Sequence, residues 1–161
     1  MTPITTCLWF DGKAEEAARF YVSLFEDSAM GEISRFGKEG QEIHGQPEGA
    51  VMTVGFRIRG QDFVGLNGGP LFKFSEAISF QIFCDTQAEV DRFWAKLGEE
   101  GGEPGSCGWL KDRFGVSWQV IPNRFFELIK DKDRAKVGRV MEAMLKMGKL
   151  DIAGLERAAA G

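Results

Sequence analysis

Residues 4–10 (Ile-Thr-Thr-Cys-Leu-Trp-Phe) form a β-branched and aromatic run between Pro3 and Asp11-Gly12, which predicts a strand. The period then changes. Ala14, Ala17, Ala18, Tyr21, Leu24 and Phe25 share one stripe, while Lys13, Glu15, Glu16 and Arg19 fall elsewhere. That spacing predicts an amphipathic helix over 13–25, with Asp11 placed as its N-cap. Strands are expected at 29–36, 50–58 and 62–67. In the second of these, Met52, Val54, Phe56 and Ile58 alternate with Val51, Thr53, Gly55 and Arg57, so one face is apolar and the other mixed. Leu66-Asn67-Gly68-Gly69-Pro70 reads as a tight turn, because it lacks the lysine of a phosphate loop and opens no helix.

After Pro70 the pattern starts again. Ala77 to Cys84 alternates as a strand, with Phe80, Ile82 and Cys84 on the helix side. Asp85 is placed to cap a helix over 87–98, whose stripe is Val90, Phe93, Trp94 and Leu97. Residues 101–105 read as loop, and short strands follow near 107–111 and 116–121. Asp11-Gly-Lys-Ala-Glu-Glu-Ala-Ala-Arg-Phe-Tyr21 matches Asp85-Thr-Gln-Ala-Glu-Val-Asp-Arg-Phe-Trp94 to within one residue of length. Each opens a helix after an alternating strand, so a strand–helix–strands unit of about 70 residues occurs twice. The tail is helical. Asn123 can cap 125–129, Asp133 can cap 136–147, and Asp151 starts a last helix. On the middle helix Val137, Val140, Met141, Met144 and Leu145 are spaced for one face, and the methionines Met141, Met144 and Met147 read as core residues.

Composition narrows the function classes. The chain has 161 residues, 43% apolar and 27% charged, the balance of one soluble globular domain. Its net charge of −4 argues against a nucleic-acid binder. No apolar run approaches the roughly 20 residues of a membrane span, and no secretory signal is expected from Met1 to Ile4, which lack a basic region and an apolar core. Cys7, Cys84 and Cys107 are an odd count without CxxC spacing, which disfavours a disulfide framework or zinc ribbon and makes a cytoplasmic location the expectation. A single histidine, His44, lies in a segment read as a solvated loop. Catalytic triads and multi-histidine metal sites would all have to pass through it.

Chemistry is therefore sought on the strands. In Asp112-Arg-Phe-Gly-Val-Ser-Trp-Gln-Val120 an Asp-x-x-Gly turn feeds a strand, and Gly115 is expected to take a positive φ. Ser117 and Gln119 point one way, Trp118 and Val120 the other. Gln119 is either a polar anchor in a ligand cup or an exposed edge residue. By the repeat, Thr5, Cys7, Trp9, Ser79, Gln81, Phe83, Ser117 and Gln119 share one face, which suits a pocket for a small neutral or aromatic ligand or a packed interface. No carboxylate lies on it, so paired acid–base chemistry is not supported. Cys107, beside Lys111 but far from any histidine, is a weak candidate nucleophile, while Cys7 and Cys84 read as buried small hydrophobes.

The doubled unit, with Leu8-Trp-Phe-Asp-Gly12 and Ala14-Glu-Glu-Ala17 at its first helix, resembles the vicinal oxygen chelate superfamily. More narrowly, it is similar to the PhnB-like group that carries the label demethylubiquinone methyltransferase. The segments that carry the likeness are Cys7 to Tyr21, Phe63 to Pro70, Phe72 to Phe83, Val90 to Trp94, Cys107 to Trp109 and Asp112 to Pro122, and the tail from Arg139 to Glu156 also fits. The resemblance implies paired βαβββ modules forming cupped sheets, usually in a homodimer. In the metal-using branches the cup holds a divalent ion on His, Gln and Glu. Those positions fall here on Thr5 or Thr6, on Ser79, on Gln119 and near Val64 to Leu66, of which only Gln119 is a ligand type. No metal and no cofactor is thus expected, and no methyl-donor pocket is visible.

The expectation is an α+β fold. Residues 1–122 hold two modules (about 1–70 and 71–122), and 123–161 a helical extension packing within a homodimer. The function expected is metal-independent binding of a small-molecule ligand, lined by Trp9, Ser79, Gln81, Cys107, Trp109, Trp118 and Gln119. The rival reading is an enzyme of the same superfamily, metal-dependent or a methyltransferase. A third is an interaction protein that docks a partner helix on residues 133–147.

Overall fold

A computed structural model describes residues 4–161; Pro3, expected to bound the first strand, lies outside the described residues. The chain divides into two compact units, one ending at Phe74 and the other running from Ser75 to Gly161. In the first, β1 (Thr6–Phe10), α1 (Ala14–Leu24), β2 (Ser28–Arg35), a short α2 (Gln41–His44), β3 (Val51–Ile58) and β4 (Gln61–Asn67) follow in order. The sheet order is β1-β4-β3-β2, with β1 parallel to β4 and the other pairs antiparallel. In the second, β5 (Phe80–Cys84), α3 (Gln87–Gly98), β6 (Glu103–Pro104), β7 (Trp109–Lys111) and β8 (Ser117–Pro122) form a sheet ordered β5-β8-β7-β6, with β5 parallel to β8. The two sheets share one topology, βαβββ, as the repeat predicted.

Each helix packs its small or apolar stripe on one face of its own sheet. Ala14, Ala17, Ala18, Tyr21 and Leu24 are buried with Val54, Phe56 and Phe63. Val90, Phe93 and Leu97 are buried in the second unit, as are Ile82, Cys84, Leu110, Trp118 and Val120. Burying such side chains contributes about 1.5–3 kcal/mol each, which is what holds a short sheet to a single helix.

Several helix starts differ from the sequence reading, each for a physical reason. Asp11 does not cap α1. Asn67, at the end of β4, accepts from the Ala14 N–H at 2.9 Å and donates to the Val51 carbonyl at 3.0 Å, so a residue distant in sequence supplies the cap. For α3 the cap is Thr86, one residue after Asp85, in a capping box in which Thr86 accepts from the Glu89 N–H and Glu89 accepts from the Thr86 N–H. Asn123 opens α4 (Asn123–Ile129) from within and donates to Asp85 instead of capping. Asp133 and Asp151 do cap α5 (Arg134–Leu145) and α6 (Ile152–Ala160). The fifth strand starts at Phe80 rather than 77, because its partner β8 begins only at Ser117 after the Asp112 turn. The loop expected at 101–105 contains β6, paired with β7.

The helical tail packs within its own unit. Leu128, Val140, Leu155 and Ala159 form a core of their own, with Met144 and Met147 against it. Leu145, expected on the buried stripe, is 62% exposed. The segment between α5 and α6 binds the second module: the N–H groups of Cys107 and Gly108 donate to the carbonyls of Met147 and Gly148 at 2.7 and 2.8 Å. Gln87 donates to the Leu150 carbonyl and accepts from the Ile152 N–H. Asp91 pairs with Lys149 at 2.5 Å. The tail therefore covers part of the second module, and the face of residues 133–147 centred on Val140 is already used.

Candidate functional site

Pairing register assigns each strand residue to a face. In the second unit Phe80, Trp118 and Leu110 lie abreast, as do Ile82 with Val120, on the side that meets α3. The opposite, open face carries Gln81, Gln119 and Trp109 abreast, with Phe83 beside Ile121 and Ser117 beside Lys111. A polar relay crosses that face. Gln81 Nε2 donates to Gln119 Oε1 at 3.2 Å, and Gln119 Nε2 donates to Ser79 Oγ at 2.8 Å. Gln119 is thus fixed at both ends of its amide, which holds a planar donor–acceptor group in one orientation.

Four of the expected residues, Ser79, Gln81, Trp109 and Gln119, are brought together here. Trp118 is not among them. It is 4% exposed on the helix side, and its Nε1 donates to Asp112 Oδ2 at 2.8 Å. Strand alternation turns its side chain away from Gln119. Cys107 is half-buried in the loop before β7 with φ 58°. Trp9 belongs to the first unit, where its Nε1 donates to the Gly69 carbonyl at 2.8 Å and Phe72 stands edge-on to its ring at 4.8 Å. Gly68 makes this possible, since a Cβ there would lie 2.2 Å from the indole. Cys7 lies on the same side of β1 as Trp9 and is exposed, against the expectation of burial, because alternation along β1 turns Leu8 and Phe10 inward instead. Cys84 is buried as expected, and burial pushes its thiol up to about 11.

The Asp-x-x-Gly turn is built on Asp112, which is 3% exposed. Its Oδ1 accepts from the Phe114 and Val116 N–H groups at 2.8 and 3.0 Å, and its Oδ2 accepts from the Trp118 indole N–H. Gly115 takes φ 86° to close the turn. The carboxylate is therefore a structural knot that launches β8 in the right register, and it faces away from the relay.

Sequence reasoning missed the pocket beside this relay. A hollow of about 240 Å³ is lined by Glu76, Glu103, Pro104, Trp109, Lys111 and Ser117, with Gly105 and Leu110. Lys111 pairs with Glu76 and stands 3.9 Å from Glu103. The hydrogen bond from Lys111 holds the Glu76 carboxyl below its usual range, and the same bond raises the Lys111 ammonium. Alternation would have put Lys111 and Ser117 on one face, but nothing local signals the arrival of Glu76 and Glu103. In the first unit, a hollow of about 450 Å³ lies by Gly31, Gly55 and Val64, with the Arg57–Asp62 pair (2.6 and 3.0 Å) on its lining. The hydrogen bond between them raises Arg57 and lowers Asp62.

A divalent ion of the kind that metal-using relatives hold does not fit these residues. Among the described residues no group of three His, Cys, Asp or Glu side chains could share a cation. Gln119 Oε1, the nearest to a ligand atom, already accepts from Gln81. His44, read as a solvated loop residue, instead closes α2 half-buried, its ring 4.6 Å from that of Phe36, with Nδ1 accepting from the Gln46 N–H.

Comparison with known proteins agrees with this architecture. No curated protein sequence matches the chain. The structure is similar to the PhnB protein from Bacillus cereus, with 36% identity and a TM-score of 0.66 over 75% of this chain and 99% of that one. It is also similar to protein PA1353 from Pseudomonas aeruginosa, at 21% identity and a TM-score of 0.59 over 76% and 98%. A glyoxylase/bleomycin resistance protein/dioxygenase domain from Frankia sp. EAN1pec matches at 11% identity and a TM-score of 0.44 over 76% and 92%. The family model described as 3-demethylubiquinone-9 3-methyltransferase matches residues 2–121, so the helical tail, expected to share the likeness, lies outside the matched span. The chain belongs to this PhnB-like family, on a glyoxalase-like fold with a helical extension.

Proposed function

We propose that the chain is a small-molecule-binding protein of the vicinal oxygen chelate superfamily that works without a metal and takes its ligand on the open face of the second sheet. The observation that carries this reading is the Ser79–Gln119–Gln81 relay beside Trp109. An aromatic face next to a pre-oriented amide offers stacking area and hydrogen bonds that fix a ligand's orientation. The donor set supports metal independence, because the positions that bind metal in relatives are hydroxyl, amide or aliphatic here. A homodimer is part of the proposal. Exposed Leu71 and Phe72 on the first unit, and Ile78 and Phe83 on the second, support it. A cytoplasmic location is proposed from three thiols suited to a reducing compartment.

Native mass spectrometry of protein purified without chelator or added metal tests this. A dimer at the bare mass, or with an organic adduct that Gln119→Ala loses while remaining folded, is the expected result. One metal ion per subunit would overturn it in favour of metal-dependent isomerase, lyase or oxygenase chemistry. The family's description favours a second reading, methyl transfer. For that, calorimetric titration with S-adenosylmethionine is the test, and a saturable heat would put it first.

A further inference from the structure

We infer that the end of the second sheet where β7 meets β8 is a subsite for a small aromatic amine, formed by Trp109, Ser117 and Glu103 in the 240 Å³ pocket. This rests on the reading of that sheet face as a ligand site, and goes beyond it in naming the ligand's chemistry. Ser117 is 2% exposed, and its Oγ has no hydrogen-bond partner among the described residues. A buried hydroxyl left in that condition is disfavoured, so it points to a polar group that arrives from outside. The side chain lies on the same face as Gln119 and across from Lys111, toward the pocket rather than toward α3.

Charge selects the kind of group. One ammonium, Lys111, stands between two carboxylates, Glu76 and Glu103. An anion would sit beside both Glu76 and Glu103, with Lys111 alone to offset two like charges. A protonated amine meets two carboxylates against the single ammonium of Lys111, a balance that favours a cation, and it can approach Glu103 and lie over the ring of Trp109. Its N–H can also donate to Ser117 Oγ. Glu76 and Lys111 are joined by an exposed ion pair of the kind that contributes little, so they can swing aside to admit a ligand. The volume is slightly below the roughly 300 Å³ at which drug-sized pockets begin, which limits the occupant to one or two fused rings.

The test is an NMR titration of the full chain with three near-isosteric probes: tryptamine, tryptophol and indole-3-propionate. Tryptamine should give saturable shifts at the Trp109 indole and at the Lys111 and Ser117 amides, roughly fivefold tighter than the acid. Glu103→Gln, at an exposed position, should remove that preference. Ser117→Ala should weaken tryptamine roughly fivefold without lowering the melting temperature, since no hydrogen bond within the protein is lost. Equal or tighter binding of the acid, or unchanged tryptamine affinity in Ser117→Ala, would overturn the subsite. So would the absence of saturable shifts with all three probes. Shifts confined to the Gln81 and Gln119 side-chain amides would overturn the subsite yet leave the proposed ligand face standing. The converse, shifts at Ser117 that Gln119→Ala does not alter, would keep the subsite and count against the relay as the ligand's anchor.

Discussion

The two modules reach one topology with different local means. The first has long strands, eight residues each in β2 and β3 and seven in β4, and its sheet is complete within its own unit. The second makes do with three residues in β7 and two in β6, and the tail supplies carbonyls to the N–H groups of Cys107 and Gly108. The helix starts differ in the same way. α1 is capped by Asn67 from across the sheet, whereas α3 is capped by its neighbours Thr86 and Glu89. A duplicated hydrophobic pattern thus specifies how strands and helix are ordered. Each copy then satisfies its backbone groups with whatever lies close.

The contrast can be broken most severely by ending the chain after Pro122. The matched family model stops at residue 121, so this asks whether the second module has come to depend on the tail. We expect loss of cooperative unfolding in the second unit and aggregation on size exclusion. A monodisperse, cooperatively folding product would instead make both modules self-sufficient.

Asp112→Ala comes next. It leaves the Phe114 and Val116 N–H groups and the Trp118 indole without their acceptor, at a cost of about 3–5 kcal/mol by chemical denaturation. The two caps form a matched pair below that. Asn67→Ala leaves the buried Ala14 N–H without its acceptor and takes a donor from the part-buried Val51 carbonyl, and should cost about 2–3 kcal/mol. Thr86→Ala removes one exposed cap and should cost about 1 kcal/mol. Equal losses would remove the distinction between distant and local capping.

The smallest effect is on pH dependence. The Cys84 thiol is pushed up from 9.0 to about 11, by burial first and the nearby Glu89 second. Between those values the unfolded chain gives up a proton that the folded one keeps. Stability should therefore fall as pH rises from 9 toward 11, and Cys84→Ala should flatten that slope in thermal melts. At pH 8, alkylation should reach exposed Cys7 before Cys84.

Much of the fold is legible in the order of residues. Periodicity locates both βαβββ units, the Asp133 and Asp151 caps and the positive φ of Gly115, because each depends on residues close in sequence. Alternation also puts Gln81 and Gln119 on one face and Trp118 on the other, although the expected lining residues included all three. What alternation cannot say is which strands pair and in what register. The hydrogen bonds from Gln81 to Gln119 and from Gln119 to Ser79 span 38 and 40 residues, and only parallel pairing of β5 with β8 brings them together. The same holds for Asn67, which lies 53 residues from the N–H it caps. Glu76 and Glu103 likewise reach Lys111 from separate segments to shape the Ser117 pocket. The sequence by itself determined the order of elements, since hydrophobic period and turn chemistry are local. The tertiary structure alone decided the caps, the amide relay and the pocket, since they consist of groups that meet only when distant strands are hydrogen-bonded into one sheet.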